Sequence, residues 1–597
     1  MLEINEKYKN RAAHFETTSI KLRDRYNLYS IFRLLIFFAA AFIALFLFFQ
    51  WGVLAGGLFV VLFLFGFSRF IKWHKSVLQA AVHHRYLSDI NKAELKVLNH
   101  EFSHFDSGKE FVDPQHPYLV DLDIFGEHSL FQYCNRTATA LGKKQLAAFF
   151  SQLPRDRAEI LHRQEAVKEL KDKLDWRQHF QAFGMAMNDD ADHVRLLKLW
   201  LSDTPFVLPN LWLKWALLLV PLWTITGLIF SAYHGSWALA LFFLLLPGVI
   251  LMKTTERVNK AHQRTTHAEN ILSFYARLIR HIENEECGTS RLSLLRKRFF
   301  DGDQQASDQI RQLSYIIGQL NVRYNAFAIL FNLIGLWDLF WVLRLEKWRA
   351  KNKEKLPDWF TSLALYEAYI SLATLCYNQP DWVFPILDDR EEIVGKMVGH
   401  PLIFHRKRVC NDFISPTKAH IKLITGSNMA GKSTFLRTVG INIILAMTGS
   451  VVCAKSIRMP LLAVFSSMRT QDALHESTSS FYAELKRLKL IIEAVENNEN
   501  IYFLLDEILK GTNSRDRHTG SRALIKQLIK SGGGGIIATH DLELGNLEET
   551  SKGAIENLCM EVAVEDGALN FDYRLKKGVS KSFNATILMK EMGIKIN

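Results

Sequence analysis

The six cysteines of this 597-residue chain, Cys134, Cys287, Cys376, Cys410, Cys453 and Cys559, lie far apart, with no Cys-x-x-Cys pair. Such spacing excludes a zinc knuckle and a disulfide framework and reads as reduced thiols of a cytosolic compartment. Neither charge sign dominates: 73 Lys plus Arg against 61 Asp plus Glu leave a net charge of +12, and 49% of residues are apolar. That balance excludes a disordered or fibrous chain. The most informative absence is local. From Leu34 to Phe67 no residue is charged, a run nearly long enough for two bilayer crossings at about 20 helical residues each.

Gln50-Trp51-Gly52 is the one polar break in that run, and both ends are basic, with Arg23, Arg25 and Arg33 before it and Arg69, Lys72 and Lys75 after it. The positive-inside rule places both flanks in the cytosol, so the run is expected to be a transmembrane hairpin turning at Gln50-Trp51-Gly52. Leu211 to Met252 repeats the plan around Tyr233-His234-Gly235-Ser236, flanked by Lys214, Lys253, Arg257 and Lys260. A cleavable leader is not expected, because the first apolar run begins some thirty residues in and is too long for one. Ala326 to Leu343 is also apolar, but Asn332 and Asp338 interrupt it. It is expected to be a buried helix of a soluble domain, since an ionised Asp near a span centre costs about 2.5 to 3.5 kcal/mol.

The soluble segments 76–210 and 254–380 have apolar residues at helical spacing, as in Ile271, Leu272, Tyr275, Leu278, Ile279 and Ile282, which predicts long packed helices. From about residue 400 short β-branched runs alternate with helical ones, the pattern of an α/β domain with a largely parallel sheet.

In that region Gly426-Ser427-Asn428-Met429-Ala430-Gly431-Lys432-Ser433-Thr434 follows the strand-like Ile421–Thr425 and opens a helical run. This is the phosphate-loop pattern in its required context. Its backbone N–H groups and helix N-terminus suit phosphate oxygens, Lys432 suits the terminal phosphates, and Ser433 suits Mg²⁺. Asn500 to Leu505 is an apolar strand ending in Asp506 and Glu507, a pair suited to holding Mg²⁺ and positioning the attacking water. A third β-run, GGIIATHD, places His540 where it can contact a γ-phosphate.

The runs ITGSNMAGKST, LLDEILKGTNSRD and IIATHDLEL resemble the ATPase domain of the MutS family, a branch of the ATP-binding-cassette class. Ser479-Ser480-Phe481-Tyr482-Ala483-Glu484 resembles that family's signature segment, with Ser480 in place of threonine, and Gly511 to Asp516, with Asn513, resembles the loop between its paired sites. The resemblance implies ATP and Mg²⁺ as cofactors and a homodimer with two composite sites, each completed by Ser479 and Ser480 of the neighbouring copy. It reaches upstream through Asp121-Leu122, Asn135 to Gly142, Arg163 to Val167 and His400-Pro401-Leu402, and closes on Phe571-Asp572-Tyr573 with Gly578.

The expected architecture is therefore multidomain. A basic cytosolic leader (1–30) precedes a transmembrane hairpin (31–72), and the α-helical core comes in two parts (76–210 and 254–395) around a second transmembrane hairpin (211–253). An α/β P-loop ATPase domain of MutS type (396–597) follows. The soluble parts are expected in the cytoplasm and the hairpins in the cell (inner) membrane. The sequence departs from the family in having a membrane hairpin where a mismatch-reading domain is expected, and no convincing Phe-x-Glu wedge. The second hairpin falls near the levers and clamp that close on DNA, and Arg408 stands where the family often has an aromatic that stacks on adenine. Two functions follow as expectations. One is an anchored ATPase acting in DNA binding or mismatch-repair-type processes, with Arg291, Arg296, Lys297 and Arg298 as a candidate phosphate-tracking cluster. The other is a mechanochemical membrane ATPase that no longer recognises mismatched DNA.

Overall fold

The computed structural model describes residues 1–185, 195, 197, 199–266, 268–324, 328–427, 429–469, 480–565 and 568–580. Asn428 and Ser479 lie outside the described residues, as does the side chain of Ser480.

Residues Leu2–Leu98 are helical throughout except at Gly52 (φ 85°, ψ 176°), where the chain turns back on itself. Only glycine adopts this backbone without strain, and the break falls on the turn expected from the charge pattern. The limbs are antiparallel. Ser88 Oγ donates to the Ala12 carbonyl (3.0 Å), Ser19 Oγ donates to the Ala81 carbonyl (2.8 Å), and the Tyr26 and His74 rings stack at 4.1 Å. These contacts recur every seven residues on both limbs, the repeat of two helices winding round each other. Residues 1–30, expected as a basic cytosolic leader, are helical and run into the first limb as part of a charged stalk beneath the apolar tip. The stalk base docks on the helix Leu174–Met185 through Arg11–Asp175 (2.7 Å) and Asn91–Gln178 (3.1 Å).

The second hairpin pairs Leu211–Tyr233 with Trp237–Thr265. Gly235 (φ 62°) makes the turn, and the Phe243 ring fills the space a Cβ on Gly227 would need. All three of these helices are long and apolar enough to cross a bilayer. Large apolar side chains such as Phe49 (86%), Leu54 (91%) and Trp237 (87%) are exposed.

The stretch expected as one buried helix is broken. Its described part forms Ala328–Gly335 and Trp337–Asn352, bent by 78°. Asn332 and Asp338, read as polar interruptions, make the corner: Asn332 Oδ1 accepts from the Asp338 N–H (2.9 Å), and Asp338 pairs with Arg323 at 3.5 Å. Nor is the first piece buried, since Ile329, Leu330 and Phe331 are exposed.

The helical core packs around Lys355–Asn378, most of whose side chains are buried. Glu367 on this helix accepts from the Ala138 N–H (2.7 Å), the Thr139 N–H (2.9 Å) and Thr139 Oγ1 (2.6 Å). It thereby places a negative charge at the N-terminus of the helix Ala140–Ser151, where the dipole favours it. At the stalk base, buried Glu94 and Arg136 pair at 2.5 Å, and Asn378 donates to the same carboxylate (2.7 Å).

The carboxy-terminal part holds a six-stranded sheet in the order Ala568–Lys577, Ile555–Glu565, His420–Thr425, Gly534–Thr539, Ile501–Asp506, Ala463–Ser467. All neighbours are parallel except the first pair. Alternation along Ile501–Asp506 divides the core. Tyr502 and Leu504 face the helix Lys432–Thr448 and the helical core, whereas Phe503 and Leu505 face the helices Ser480–Glu496 and Ser514–Lys530. A four-stranded sheet, in the order Ile386–Leu387, Ser456–Met459, Glu392–Val398, Asn411–Pro416, flanks it.

Candidate functional site

Three parallel strands bring the sequence-singled residues to one edge. Thr539 pairs with Thr425, and Ala538 pairs with Asp506, so the loop after Thr425, the Asp506-Glu507 pair and His540 converge at the carboxyl ends of the strands, where ligands of such sheets bind. Gly426 (φ 150°) and Gly431 (φ 98°) bound the loop. A Cβ on Gly426 would sit 2.4 Å from the Met560 carbonyl, so only glycine fits there. Lys432 is buried, and its Nζ donates to the Gly426 (2.7 Å) and Ser427 (2.9 Å) carbonyls. Burial lowers its pKa, against the nearby Glu507 and Asp506 charges. Ala430 is buried, Met429 and Thr434 are exposed, and the Ala430 N–H donates to the Ser427 carbonyl.

Ser433 Oγ donates to Asp506 Oδ2 at 2.5 Å, whereas Asp506 Oδ1 is buried without a partner. Burial raises the Asp506 pKa, against the Ser433 hydrogen bond. A carboxylate with one orphaned oxygen beside a hydroxyl is a set of hard oxygen donors, and it fits Mg²⁺. Glu507 takes a left-handed backbone (φ 52°) fixed by its N–H to the Ala538 carbonyl (2.9 Å). Its carboxylate lies 3.4 Å from Lys510 Nζ and 3.8 Å from His540 Nδ1, and its charge acts on Lys432 at the start of the helix after the loop. Glu507 is therefore placed to accept a hydrogen bond from a water at the site.

Several residues have roles the sequence did not show. Glu484, part of the signature-like run, accepts from the Leu509 N–H at 2.5 Å and so ties the helix Ser480–Glu496 to the loop after Glu507. Asn513 caps the helix Ser514–Lys530 by accepting from the Asp516 N–H (2.9 Å). Arg408 is turned inward. It donates to the Ile403 carbonyl (2.7 Å) and lies over the Trp382 ring at 5.5 Å, so it does not offer a stacking surface. Tyr573 does: its ring is 2.9 Å from where a Cβ on Gly431 would sit, it stacks on Phe571 at 6.0 Å, and it remains 44% exposed. Its place in Phe571-Asp572-Tyr573, the run that resembles closing strands, was the sequence signal.

The candidate phosphate-tracking cluster is largely spent internally. Arg291 donates to Glu159 (3.0 Å) and Tyr369 (3.1 Å), and Arg296 donates to the Glu283 carbonyl (2.7 Å). Lys297 and Arg298 are exposed.

The fold and site define an α/β domain whose polar residues gather at the carboxyl ends of a parallel sheet. The family model described as MutS domain V matches residues 422–592. Relatives include the DNA mismatch repair proteins MutS of Aquifex pyrophilus (31% identical over 290 residues, 48% of this chain and 32% of the relative) and of Thermotoga neapolitana (34% over 241 residues, 39% and 29%). The DNA mismatch repair protein MSH3 of Phaeosphaeria nodorum is 30% identical over 244 residues, 39% of this chain and 21% of the relative. The carboxy-terminal part of the chain is thus similar to MutS domain V, and these matches span about a third or less of the relatives' own length.

Proposed function

We propose that this protein is a membrane-anchored ATPase of MutS type that works as a homodimer and drives its helical core, and through it the two hairpins, by ATP turnover. In this reading Gly426–Thr434, Asn428 included, hold the triphosphate, and Tyr573 stacks on the base. Ser433 and Asp506 hold Mg²⁺, which supplies charge neutralisation at the phosphates. Glu507 orients and deprotonates the attacking water, with His540 beside it. Ser479, Ser480 and the loop around Asn513 complete the neighbouring copy's site. The exposed apolar bands, flanked by basic residues, support the anchoring, since a protein in water does not expose such contiguous surface.

The observation that carries the mechanical reading is the clamp between the site and the core. Asp123 in the core pairs with Arg437 on the phosphate-loop helix (3.0 Å) and with Arg469 (2.8 Å). Asp121 accepts from Ser466 Oγ (2.8 Å) and pairs with Arg487 on the signature helix (3.3 Å). A shift of either helix on ATP binding is passed directly to the core. The second reading, action on DNA, is favoured by the similarity to DNA mismatch repair proteins.

ATP hydrolysis by the protein in lipid nanodiscs, with and without homoduplex and mismatched DNA over a salt series, separates the two. Turnover that changes less than about twofold with DNA is expected. Stimulation falling steeply with salt is the signature of phosphate contacts and would favour the second reading.

A further inference from the structure

The short helix Ala328–Gly335 is the least explained part of the fold. It packs on both limbs of the second hairpin, yet presents Ile329 (72% exposed), Leu330 (52%) and Phe331 (43%) outward. With eight residues it is about 12 Å long, too short to cross a hydrocarbon core of roughly 30 Å. The preceding helix Ala306–Asn321 and the following Trp337–Asn352 pack together in the core, joined by Trp348 Nε1 to the Gln309 carbonyl (2.8 Å) and Trp337 Nε1 to the Gln319 carbonyl (3.1 Å).

Its end is satisfied as a helix end inside a bilayer must be. The Ile334 carbonyl, an orphan of the last turn, accepts from Thr224 Oγ1 at 2.7 Å. The corner at Leu336 (φ 48°) is held by the Leu336 N–H to the Asn332 carbonyl (2.9 Å) and by the Asn332 side chain on Asp338. Irregular backbone at membrane depth is tolerated where protein groups satisfy it in this way. Thr224 itself lies ten residues beyond Lys214 on the first limb, about 15 Å along the helix and so near the middle of the apolar band. Asp338, buried against Arg323, marks the return to the core.

We propose that Ala328–Gly335 is a re-entrant element, inserted from the cytosolic side beside the second hairpin, whose Ile329–Leu330–Phe331 face contacts lipid acyl chains. The inference rests on the membrane reading of that hairpin and extends it: nucleotide-driven movement of Trp337–Asn352 would then act on the bilayer interior as well as on the hairpin limbs. The test places a photoreactive phenylalanine (diazirine) at Ile329, at Leu241 on the hairpin (66% exposed) or at Leu294 on a core helix (51% exposed). All three sites are exposed, so the substitution leaves packing intact. The full-length protein is illuminated in phosphatidylcholine nanodiscs, and lipid adducts are read by mass spectrometry. Adducts at Ile329 and Leu241, at least tenfold above Leu294, are expected. Adducts at Leu241 alone would overturn the re-entrant helix and leave the hairpin in the membrane. Adducts at neither would overturn the membrane reading and this inference with it.

Discussion

Glu507→Gln is expected to bind MgATP within about twofold of wild type and to turn it over about 100- to 10,000-fold more slowly, the range lost with a positioned general base. The amide keeps the side chain's shape and the left-handed backbone at Glu507 (φ 52°), so the loop and the Asp506–Ser433 contact stay in place. What is lost is the basic carboxylate oxygen, and with it the group proposed to take a proton from water. Separate measurement of equilibrium ATP binding and of phosphate release distinguishes this from a binding defect. Turnover near the wild-type rate would remove Glu507 from the chemistry and leave it as an ion-pair partner of Lys510.

Lys432→Ala is expected to weaken ATP binding by about 10- to 150-fold, the worth of a charge-assisted hydrogen bond of roughly 1.5 to 3 kcal/mol. The Lys432 ammonium is held beneath the loop by the Gly426 and Ser427 carbonyls, ready to exchange those partners for phosphate oxygens. Burial, which lowers its pKa, strengthens any contact the charged form makes with an anion. Its removal also takes away a buried cation that interacts with the Glu507 and Asp506 charges. Calorimetric titration gives the affinity, and the thermal transition without ligand shows whether the fold survives. An unchanged dissociation constant in a folded variant would contradict the assignment of the loop.

How far the sequence carried these assignments follows from the range of the forces involved. The turn at Gly52 was legible because a charge-free run of that length, basic at both ends, has only one place to reverse. The convergence of Lys432, Ser433, Asp506 and Glu507 was legible because the first two follow the loop after one strand and the last two close another, and parallel strands put such ends together. The corner at Leu336 was not, because Asn332 and Asp338 read equally as interruptions of a helix and as caps between two, and only the partner Arg323 decides. The inward turn of Arg408 depends on Trp382 and the Ile403 carbonyl, contacts made by folding rather than by local pattern. The same holds for Glu484, whose position in a signature-like run gave no hint that it pins Leu509. The leader expected over 1–30 was a reading of charge alone, and the seven-residue spacing of Ala12, Ser19 and Tyr26 against Ser88, Ala81 and His74 is visible only once both limbs are paired.

The proposed working site is built by two copies of the chain, and complementation tests this most directly. Lys432→Ala removes the loop's cation, whereas Ser479→Arg obstructs the segment offered to the neighbour. Each homodimer of either variant is expected to be inactive. Co-expressed with different tags and isolated as a heterodimer, the two variants leave one intact site, and about half of wild-type turnover is expected for a two-fold assembly. A heterodimer as inactive as its parents, or a fully active Ser479→Arg homodimer, would contradict the account.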